Sequence, residues 1–212
     1  MAHGRSPLLH GSLKPLISTE NDHFLVEFLT QTRLQDLLIF CLLPGKDKPW
    51  QYPGMTNTTD MKIRSPVTDD VPGVIEVVGS CKPSLLVYRP YYYWMNIRYF
   101  ADTCAVAEHH GHIIGWCSII SAPRNRFFLH QLGVKPDYRG QKVAFRLVQH
   151  LLRVLTAKGD IDLELTIERN NTRGQVFFAN AAESVGLALK LVEVIPLLEQ
   201  ACNEDVYAIA KA

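Results

Sequence analysis

The sequence predicts a mixed α/β domain with one central sheet, and two observations support this prediction. From Met61 onward, short apolar patterns typical of strands alternate with amphipathic patterns typical of helices. The composition is that of a globular chain: 47% of the 212 residues are hydrophobic and 20% are charged, which excludes disorder along the whole chain. The predicted order of elements is β-α-α-β-β-β-α-β-α-β-β.

The first predicted elements are a short strand and two helices. Residues 62–64 form the strand, and residues 68–70 offer an N-cap for a helix that ends at Gly79. The second helix covers the aromatic residues 91–100, where three tyrosines stand at consecutive positions. Neighbouring side chains on a helix point in different directions, so at least one of these tyrosines is expected to be exposed or at an interface.

The later elements alternate between strands and helices. A glycine-containing hairpin turn at residues 108–112 joins two of the strands. The first of two long helices has a strongly amphipathic pattern, and Gly186 ends the second. In chain order, the predicted elements are strands 103–107, 113–120 and 127–134, helix 141–157, strand 161–167, helix 172–185, and strands 187–195 and 206–210.

Residues 1–60 are predicted to be an N-terminal extension and linker ahead of the domain, which covers residues 61–212. Residues 24–43 are apolar at helical spacing, but charged and amide side chains interrupt them, so they do not fit a membrane span. Pro44-Gly45 ends this pattern. The extension leaves three interpretations: a helix that packs on the domain or a partner, a weak membrane-surface helix, or a leader without function.

Charge and cysteine content exclude several classes of function. The 22 Lys and Arg residues balance 21 Asp and Glu residues, so a net charge of +1 gives no attraction to nucleic acid or an anionic membrane. The five cysteines lack the spacing of a zinc site or a disulfide framework, which favours reduced, mostly buried thiols in a cytoplasmic protein. The histidines of residues 109–112 fit a solvated turn better than a ligand set, and no metal is predicted.

Residues 132–144 carry the pattern with the clearest chemistry. A strand runs into a turn that contains Gly140, and the turn opens directly into a long helix. The first N–H groups of a helix lack helical partners, and together with the helix dipole they form a site for an anion such as a pyrophosphate. Arg139 and Lys142 add positive charge there. An ordinary βα turn has the same pattern, so the residues alone leave both interpretations open.

A spaced set of residues in this stretch follows a known pattern: Val134, Pro136, Tyr138, Arg139, Gly140 and Ala144. It resembles the acetyl-CoA signature of the GNAT acetyltransferase superfamily, and the predicted element order is similar as well. The resemblance implies a GNAT-like acyl-CoA N-acyltransferase fold with acetyl-CoA as cosubstrate. In that fold the strand before the turn separates from its neighbour, and the pantetheine arm enters the gap. Lys142 stands where the family has its middle glycine.

A second block, residues 171–178 followed by Gly186-Leu187, resembles another part of the same family. Phe178 stands where many members have a tyrosine that protonates the departing thiolate, and a phenyl ring cannot donate a proton. The thiolate then leaves as such, or water or another residue supplies the proton. The residues that the resemblance implies for cofactor binding are Leu132, Gly133, Val134, Arg139, Gly140, Gln141, Lys142, Val143, Ala144, Asn171 and Phe178.

The aromatic helix that runs into residues 100–108 is similar to that of the diaminobutyrate acetyltransferases of ectoine biosynthesis. This resemblance covers roughly residues 62–188, and it implies acetyl transfer to a small primary amine, first of all L-2,4-diaminobutyrate, by a homodimer. Those enzymes have an acidic segment where residues 86–89 stand, and a Trp-Gln pair at His130-Gln131. The alternatives are another acceptor (a polyamine, an antibiotic amine or a protein amine) or a non-catalytic acyl-CoA-binding module.

Direct attack of a neutral amine on a thioester needs an oriented amine, an oxyanion donor and a proton acceptor. A backbone N–H near residues 132–134 is the expected oxyanion donor. The candidate bases are Glu108, His130 and Glu164, all on predicted strands, and both carboxylates also fit solvated positions. The candidate substrate residues are Arg89, Tyr92, Trp94 and Gln131; the aromatic pair equally fits core packing or a dimer contact.

Overall fold

The computed structural model describes residues 60–194 and 204–211. The predicted amphipathic segment at residues 24–43 lies outside the described residues, as do Cys41 and Cys202. The other cysteines are buried thiols, as predicted: Cys81, Cys104 and Cys117.

The described residues form one seven-stranded sheet. Its strands are β1 (Lys62–Arg64), β2 (Cys104–His109), β3 (His112–Ala122), β4 (Arg126–Val134), β5 (Asp162–Glu168), β6 (Ala188–Val194) and β7 (Glu204–Ala210). Their order across the sheet is β1-β2-β3-β4-β5-β7-β6. Neighbouring strands run antiparallel except β4 and β5, which run parallel. A parallel pair needs a crossover, and one of the long predicted helices supplies it.

Helices cover both faces of the sheet. In the described part of the chain they are α1 (Val71–Ser80), α2 (Pro90–Phe100), α3 (Val143–Thr156) and α4 (Thr172–Glu183). A Cβ on Gly115 would lie 2.9 Å from Leu147 of α3, whereas a Cβ on Gly133 would lie 3.5 Å from Val77 of α1. Gly133 pairs across strands with Trp116, the residue after Gly115, so α1 and α3 lie on opposite faces. None of the described helices is long and apolar enough to cross a membrane.

The amphipathic pattern of α3 anchors the core on its face of the sheet. Leu147, Leu151 and Leu155 are each no more than 1% exposed, and they recur at the four-residue spacing of one helix face. Each buried leucine stabilises the fold by about 1.5–3 kcal/mol. The helix α3 therefore packs firmly on β2, β3 and β4, at the end of the sheet where the chain passes from β4 into α3.

The predicted order of elements is confirmed, and local backbone conformation explains where two boundaries move. The helix predicted from Gln141 begins at Val143, because Lys142 has a left-handed φ of 61° that a right-handed helix cannot include. The hairpin turn shrinks to His110 and Gly111, whose φ angles of 49° and 76° fit a tight two-residue turn. The adjoining strands are correspondingly longer than predicted.

The three consecutive tyrosines divide as predicted. Tyr91 is 71% exposed, while Tyr92 and Tyr93 are buried against the sheet. The structure thus places one hydroxyl-bearing ring in solvent and two next to β4 and β3.

The parallel contact between β4 and β5 is short, and this opens the sheet. The two strands pair only from Arg126 opposite Asp162 to Phe128 opposite Glu164. Beyond Phe128, β4 continues to Val134 beside β3, and β5 continues to Glu168 beside β7. A gap therefore separates the carboxyl-terminal halves of β4 and β5, as the family resemblance implied.

Candidate active site

A cavity of about 450 Å³ lies where β4 leads into α3. Its walls combine cationic, apolar and amide side chains with turn backbone. They are formed by Val134, Tyr138, Arg139, Gly140, Lys142, Val143, Ala144, Phe145, Phe177 and Asn180.

The floor of this cavity is the amino terminus of α3. The first helical backbone hydrogen bond there runs from the Arg146 N–H to the Lys142 carbonyl, at 3.0 Å. The N–H groups of Val143, Ala144 and Phe145 precede it and have no acceptor within the helix. With the helix dipole and the Lys142 ammonium, they attract a group that carries several negative oxygens.

The backbone of the turn is shaped for this contact. Gly140 has a φ of 76° and Lys142 a φ of 61°, both in the left-handed region. Left-handed residues let successive N–H groups converge on one point, which forms an anion-binding concavity. Arg139 fixes the turn to the end of β4, because its Nε donates to the Val134 carbonyl at 3.1 Å.

Apolar side chains form the other wall. Phe145 of α3 and Phe177 of α4 meet edge to face, with 6.5 Å between ring centroids. A cavity with an anion-binding floor and an apolar wall suits a ligand that joins a pyrophosphate to a long, weakly polar arm. Coenzyme A has this chemistry, and the residues present fit it.

The structure brings six of the residues predicted for the cofactor into this cavity: Val134, Arg139, Gly140, Lys142, Val143 and Ala144. Leu132 and Gly133 lie in β4, and Gln141 donates to the Asp137 carbonyl beside the turn. Asn171 caps α4 by accepting from the Gly174 N–H at 2.9 Å. Phe178 is 0% exposed and belongs to the core rather than to the cavity wall.

Sequence reasoning missed three residues of the cavity wall, Phe145, Phe177 and Asn180, and it placed Tyr138 in the acetyl-CoA signature without naming it as a cofactor-binding residue. Helical spacing was the available signal. Phe177 and Asn180 are about one turn apart on α4 and so share a face of the helix. A residue of this face that lines the cavity therefore predicts that the other lines it too.

His130 lies at an irregularity in β4, on the face that α2 covers. Gln131 pairs with Ser118 and Leu129 pairs with Ile119, which leaves His130 as the extra residue of a bulge. The Tyr92 hydroxyl lies 2.8 Å from His130 Nδ1, and the Tyr88 hydroxyl lies 3.3 Å from Nε2. Burial lowers the pKa of His130 to about 4, so the ring is neutral near pH 7.

Buried polar atoms surround this bulge. Gln131 Nε2 donates to the Leu86 carbonyl at 2.9 Å. Within the described residues, Gln131 Oε1, Ser118 Oγ and Trp116 Nε1 are buried and have no hydrogen-bond partner. Buried polar groups are rarely left unpaired in folded proteins, so this region is suited to a polar ligand or ordered water.

Carboxylates stand on the far side of the gap, on β5 and β7. Glu204 is 5% exposed and pairs across strands with Glu168. Burial raises the pKa of Glu204, a hydrogen bond from Thr166 opposes that effect, and Glu168 adds a smaller upward contribution. Leu165 and Ile167 of β5 point into the core beside α3, so Thr166 and Glu168 point to the opposite face, where α2 covers β3 and β4. Sequence reasoning missed Glu204 because a β-strand carboxylate shows its burial only in three dimensions.

The other predicted site residues lie apart from this arrangement or are otherwise engaged. Glu108 accepts from Arg64 Nε at 2.7 Å near the β1 edge of the sheet. Glu164 accepts from Arg126 at 2.8 Å where the β4–β5 pairing ends. Arg89 is exposed at the start of α2, and Trp94 is 38% exposed. Of the three candidate bases, the structure places only His130 among the buried polar groups of the bulge.

No group of three or more His, Cys, Asp or Glu residues in the described ranges is arranged to hold a metal ion. The histidine turn illustrates this. The His109 ring is buried, with its centroid 4.0 Å from that of His110 and 5.6 Å from that of Tyr138. The expectation of a solvated turn is therefore wrong for His109, which packs against aromatic rings beside the cavity, whereas His110 and His112 are exposed.

Residues 74–181, about half of the chain, match the acetyltransferase (GNAT) family. The chain therefore belongs to this family: it is an acetyltransferase, and acetyl-CoA is its cosubstrate. The matched range includes the β4–α3 turn, the bulge in β4 and the start of α4.

Individual relatives show which acetyltransferases of this family the chain is similar to. The L-2,4-diaminobutyric acid acetyltransferase of Halalkalibacterium halodurans is 28% identical over 143 residues, which cover 66% of this chain and 75% of that relative. The enzyme of the same name from Chromohalobacter salexigens is 38% identical over 126 residues, covering 57% of this chain and 64% of that relative, less than two thirds of its length. A diaminobutyrate acetyltransferase structure from Paenibacillus lautus, in complex with L-2,4-diaminobutyric acid and coenzyme A, has a TM-score of 0.58 at 24% identity. That likeness covers 71% of this chain and 94% of that one, and it shows the shared fold.

The left-handed backbone at Lys142 predicts that two substitutions at this position differ in stability. Lys142→Gly removes the Cβ strain, so it should unfold at higher urea concentration than Lys142→Ala, by about 1 kcal/mol in free energy of unfolding. Both variants lose the ammonium and should bind coenzyme A several-fold more weakly by calorimetry. Equal stability of the two variants would show that the conformation of this residue carries no strain.

The burial of His130 predicts a loss of stability in acid. Its folded pKa of about 4 lies below the value of 6.5 for an exposed histidine. The unfolded chain therefore takes up a proton that the folded chain refuses, and stability falls as pH drops from about 6.5 toward 4, by roughly 3 kcal/mol in all. Urea unfolding at about pH 7 and about pH 4.5 should show a smaller decrease for His130→Gln than for the wild type. The exposed His112→Gln should match the wild type; a His130→Gln variant with the full acid loss would refute this origin.

Proposed function

We propose that this chain acetylates a primary amine of L-2,4-diaminobutyrate with acetyl-CoA, a step of ectoine biosynthesis. The observation that carries the proposal is the alignment of the cavity at the α3 amino terminus with the gap between β4 and β5. Cofactor and acceptor can then meet inside the sheet. The two relatives described above bear the name of this activity, which supports the choice of acceptor.

The acetyl donor would be held by the anion-binding floor and the apolar wall of the cavity. Acetyl-CoA supplies an activated thioester there. The pairing with β5 ends at Phe128, so backbone groups of Leu132 to Val134 that point into the gap have no β5 partner. An N–H in this position can donate to the carbonyl oxygen as it gains negative charge.

The acceptor would lie on the opposite side of the gap from this donor strand. Diaminobutyrate carries two ammonium groups at neutral pH, and Glu168 with the buried Glu204 supplies negative charge to hold one of them. A carboxylate whose pKa is raised by burial is also a stronger base than an exposed one. Glu204 would therefore accept the ammonium proton. The neutral amine then attacks the thioester carbon to form the new C–N bond. The nitrogen loses its second proton, and the C–S bond breaks as coenzyme A leaves as a thiolate that can take up a proton from water.

His130 has a positioning role in this proposal. Both of its ring nitrogens lie within hydrogen-bonding distance of tyrosine hydroxyls, and the pKa of the ring is too low for it to keep an ammonium proton. It fixes Tyr88 and Tyr92 as an uncharged wall of the acceptor site. Arg89, next to Tyr88, is the candidate partner for the acceptor carboxylate.

One observation favours a second acceptor class. The loop at residues 86–89 lacks the acidic segment of the diaminobutyrate enzymes, and the wall near His130 is aromatic and uncharged. An amine with a single charge and an apolar body would fit that wall. The acceptor panel below distinguishes the two.

We also propose a cellular location, an oligomeric state and the part of the chain that carries the activity. We expect a cytoplasmic homodimer in which residues 61–212 carry the activity.

The acceptor is tested by release of free thiol from acetyl-CoA in the presence of single amines. The panel contains L-2,4-diaminobutyrate, lysine, ornithine, spermidine and an aryl-alkyl amine. We expect release with diaminobutyrate to exceed release with the others by at least about tenfold, since a mismatched acceptor leaves buried polar groups unpaired. Preference for another amine would show that the proposed acceptor is wrong and would identify that amine as the better acceptor. Acetyl-CoA binding without thiol release in the presence of any amine would support the non-catalytic acyl-CoA-binding module.

Glu204→Gln should lower kcat/KM for the amine by roughly 100-fold near neutral pH, with little change in acetyl-CoA affinity. The deficit should narrow at alkaline pH, because free amine then forms without the base. Glu183→Gln, a change of an exposed carboxylate at the end of α4, is the matched control. Activity of Glu204→Gln within about twofold of this control would exclude Glu204 as the base.

A further inference from the structure

The two edges of the sheet differ in how they are protected. The β1 edge has only three residues, of which Lys62 and Arg64 are basic. Short, charged edges resist pairing with other strands. The β6 edge is seven residues long and is paired, within the described residues, only with β7.

The β6 edge also exposes large apolar side chains. Leu191 is 54% exposed, Val192 is 56% exposed and Val194 is 52% exposed. The register with β7 shifts between Leu191 and Glu193, so Val192 is the extra residue of a bulge. The bulge and the charges of Lys190 and Glu193 limit general strand addition at this edge, so pairing here needs a strand that matches both the bulge and the charges.

We propose that β6 is the surface on which two copies of this chain meet, antiparallel and related by a two-fold axis between Leu191 and Val192. The charges on the strand are the reason for choosing a second copy of this chain as the partner, because they make the strand complementary to itself. In this register Lys190 faces Glu193 of the partner, and Glu193 faces the partner's Lys190. Leu191 then faces Val192, so the centre of the contact is apolar.

Charge pairing selects this register over its neighbours. A shift of one residue either way would set Lys190 opposite Val192 or Val194 and leave both charges of each strand without a partner of opposite sign. Cross-strand pairs of opposite charge stabilise a sheet by about 0.2–1 kcal/mol each, and like charges directly opposite destabilise it. The two-fold axis doubles each effect, because every pair occurs twice.

Charge exchange on β6 tests the contact in the full-length chain. Light scattering and sedimentation over about 1 to 100 µM protein give the dimer dissociation constant. Lys190→Glu and Glu193→Lys should each weaken the dimer at least about tenfold, because each places two like-charged pairs across the axis. The double variant exchanges both charges and should restore the wild-type constant.

A pair of valine variants separates this surface from a general loss of solubility. Val192→Lys should give a monomer, whereas Val67→Lys should leave the dimer intact, and both valines are 56% exposed in the wild type. Melting curves show that each variant is folded. A wild-type monomer at every concentration, or a dimer unaffected by Val192→Lys and by the single charge changes, would overturn the inference. Acetyl transfer by such a monomer would leave the proposed function standing.

Discussion

The arrangement of the site depends on one constraint: β4 and β5 pair over three residues and then part. Parallel strands normally continue to share hydrogen bonds, so each needs other support beyond this point. β4 is held by β3 and by helices on both faces, and β5 is held by β7. Gly133 contributes because a side chain there would lie 2.9 Å from Leu85, and its absence lets the α1 side pack closely on β4.

The separation of the strands also separates opposite charges. On the β4 side, helix N–H groups, Arg139 and Lys142 gather positive potential at the start of α3. On the β5 and β7 side, Glu168 and Glu204 gather negative potential in a partly buried setting. In the proposed function, a polyanionic donor and a cationic acceptor would therefore be attracted to different sides of one gap.

Local patterns made the fold predictable from sequence, and long-range burial limited the prediction of the site. The apolar spacing of α3 and the turn around Gly140 are local features, and both were confirmed together with the element order. The same reasoning could not show that Glu108 is paired with Arg64, 44 positions away, or that Glu204 is buried. Those facts depend on which strands become neighbours. The spacing of residues along the chain does not predict the strand order β5-β7-β6.

The chemistry of the departing thiolate explains why this chain can lack a proton donor at position 178. Phe178 is 0% exposed and packs edge to face with Phe177, at 4.9 Å between ring centroids. A hydroxyl on this ring would have to be satisfied inside the core. A thiol has a pKa of about 8.5, so a thiolate is a stable leaving group close to neutral pH, whereas the nitrogen of the intermediate, once it has lost its second proton, could leave only after being protonated again. The C–S bond therefore breaks in preference to the new C–N bond without an acid catalyst, and position 178 is released to stabilise the core.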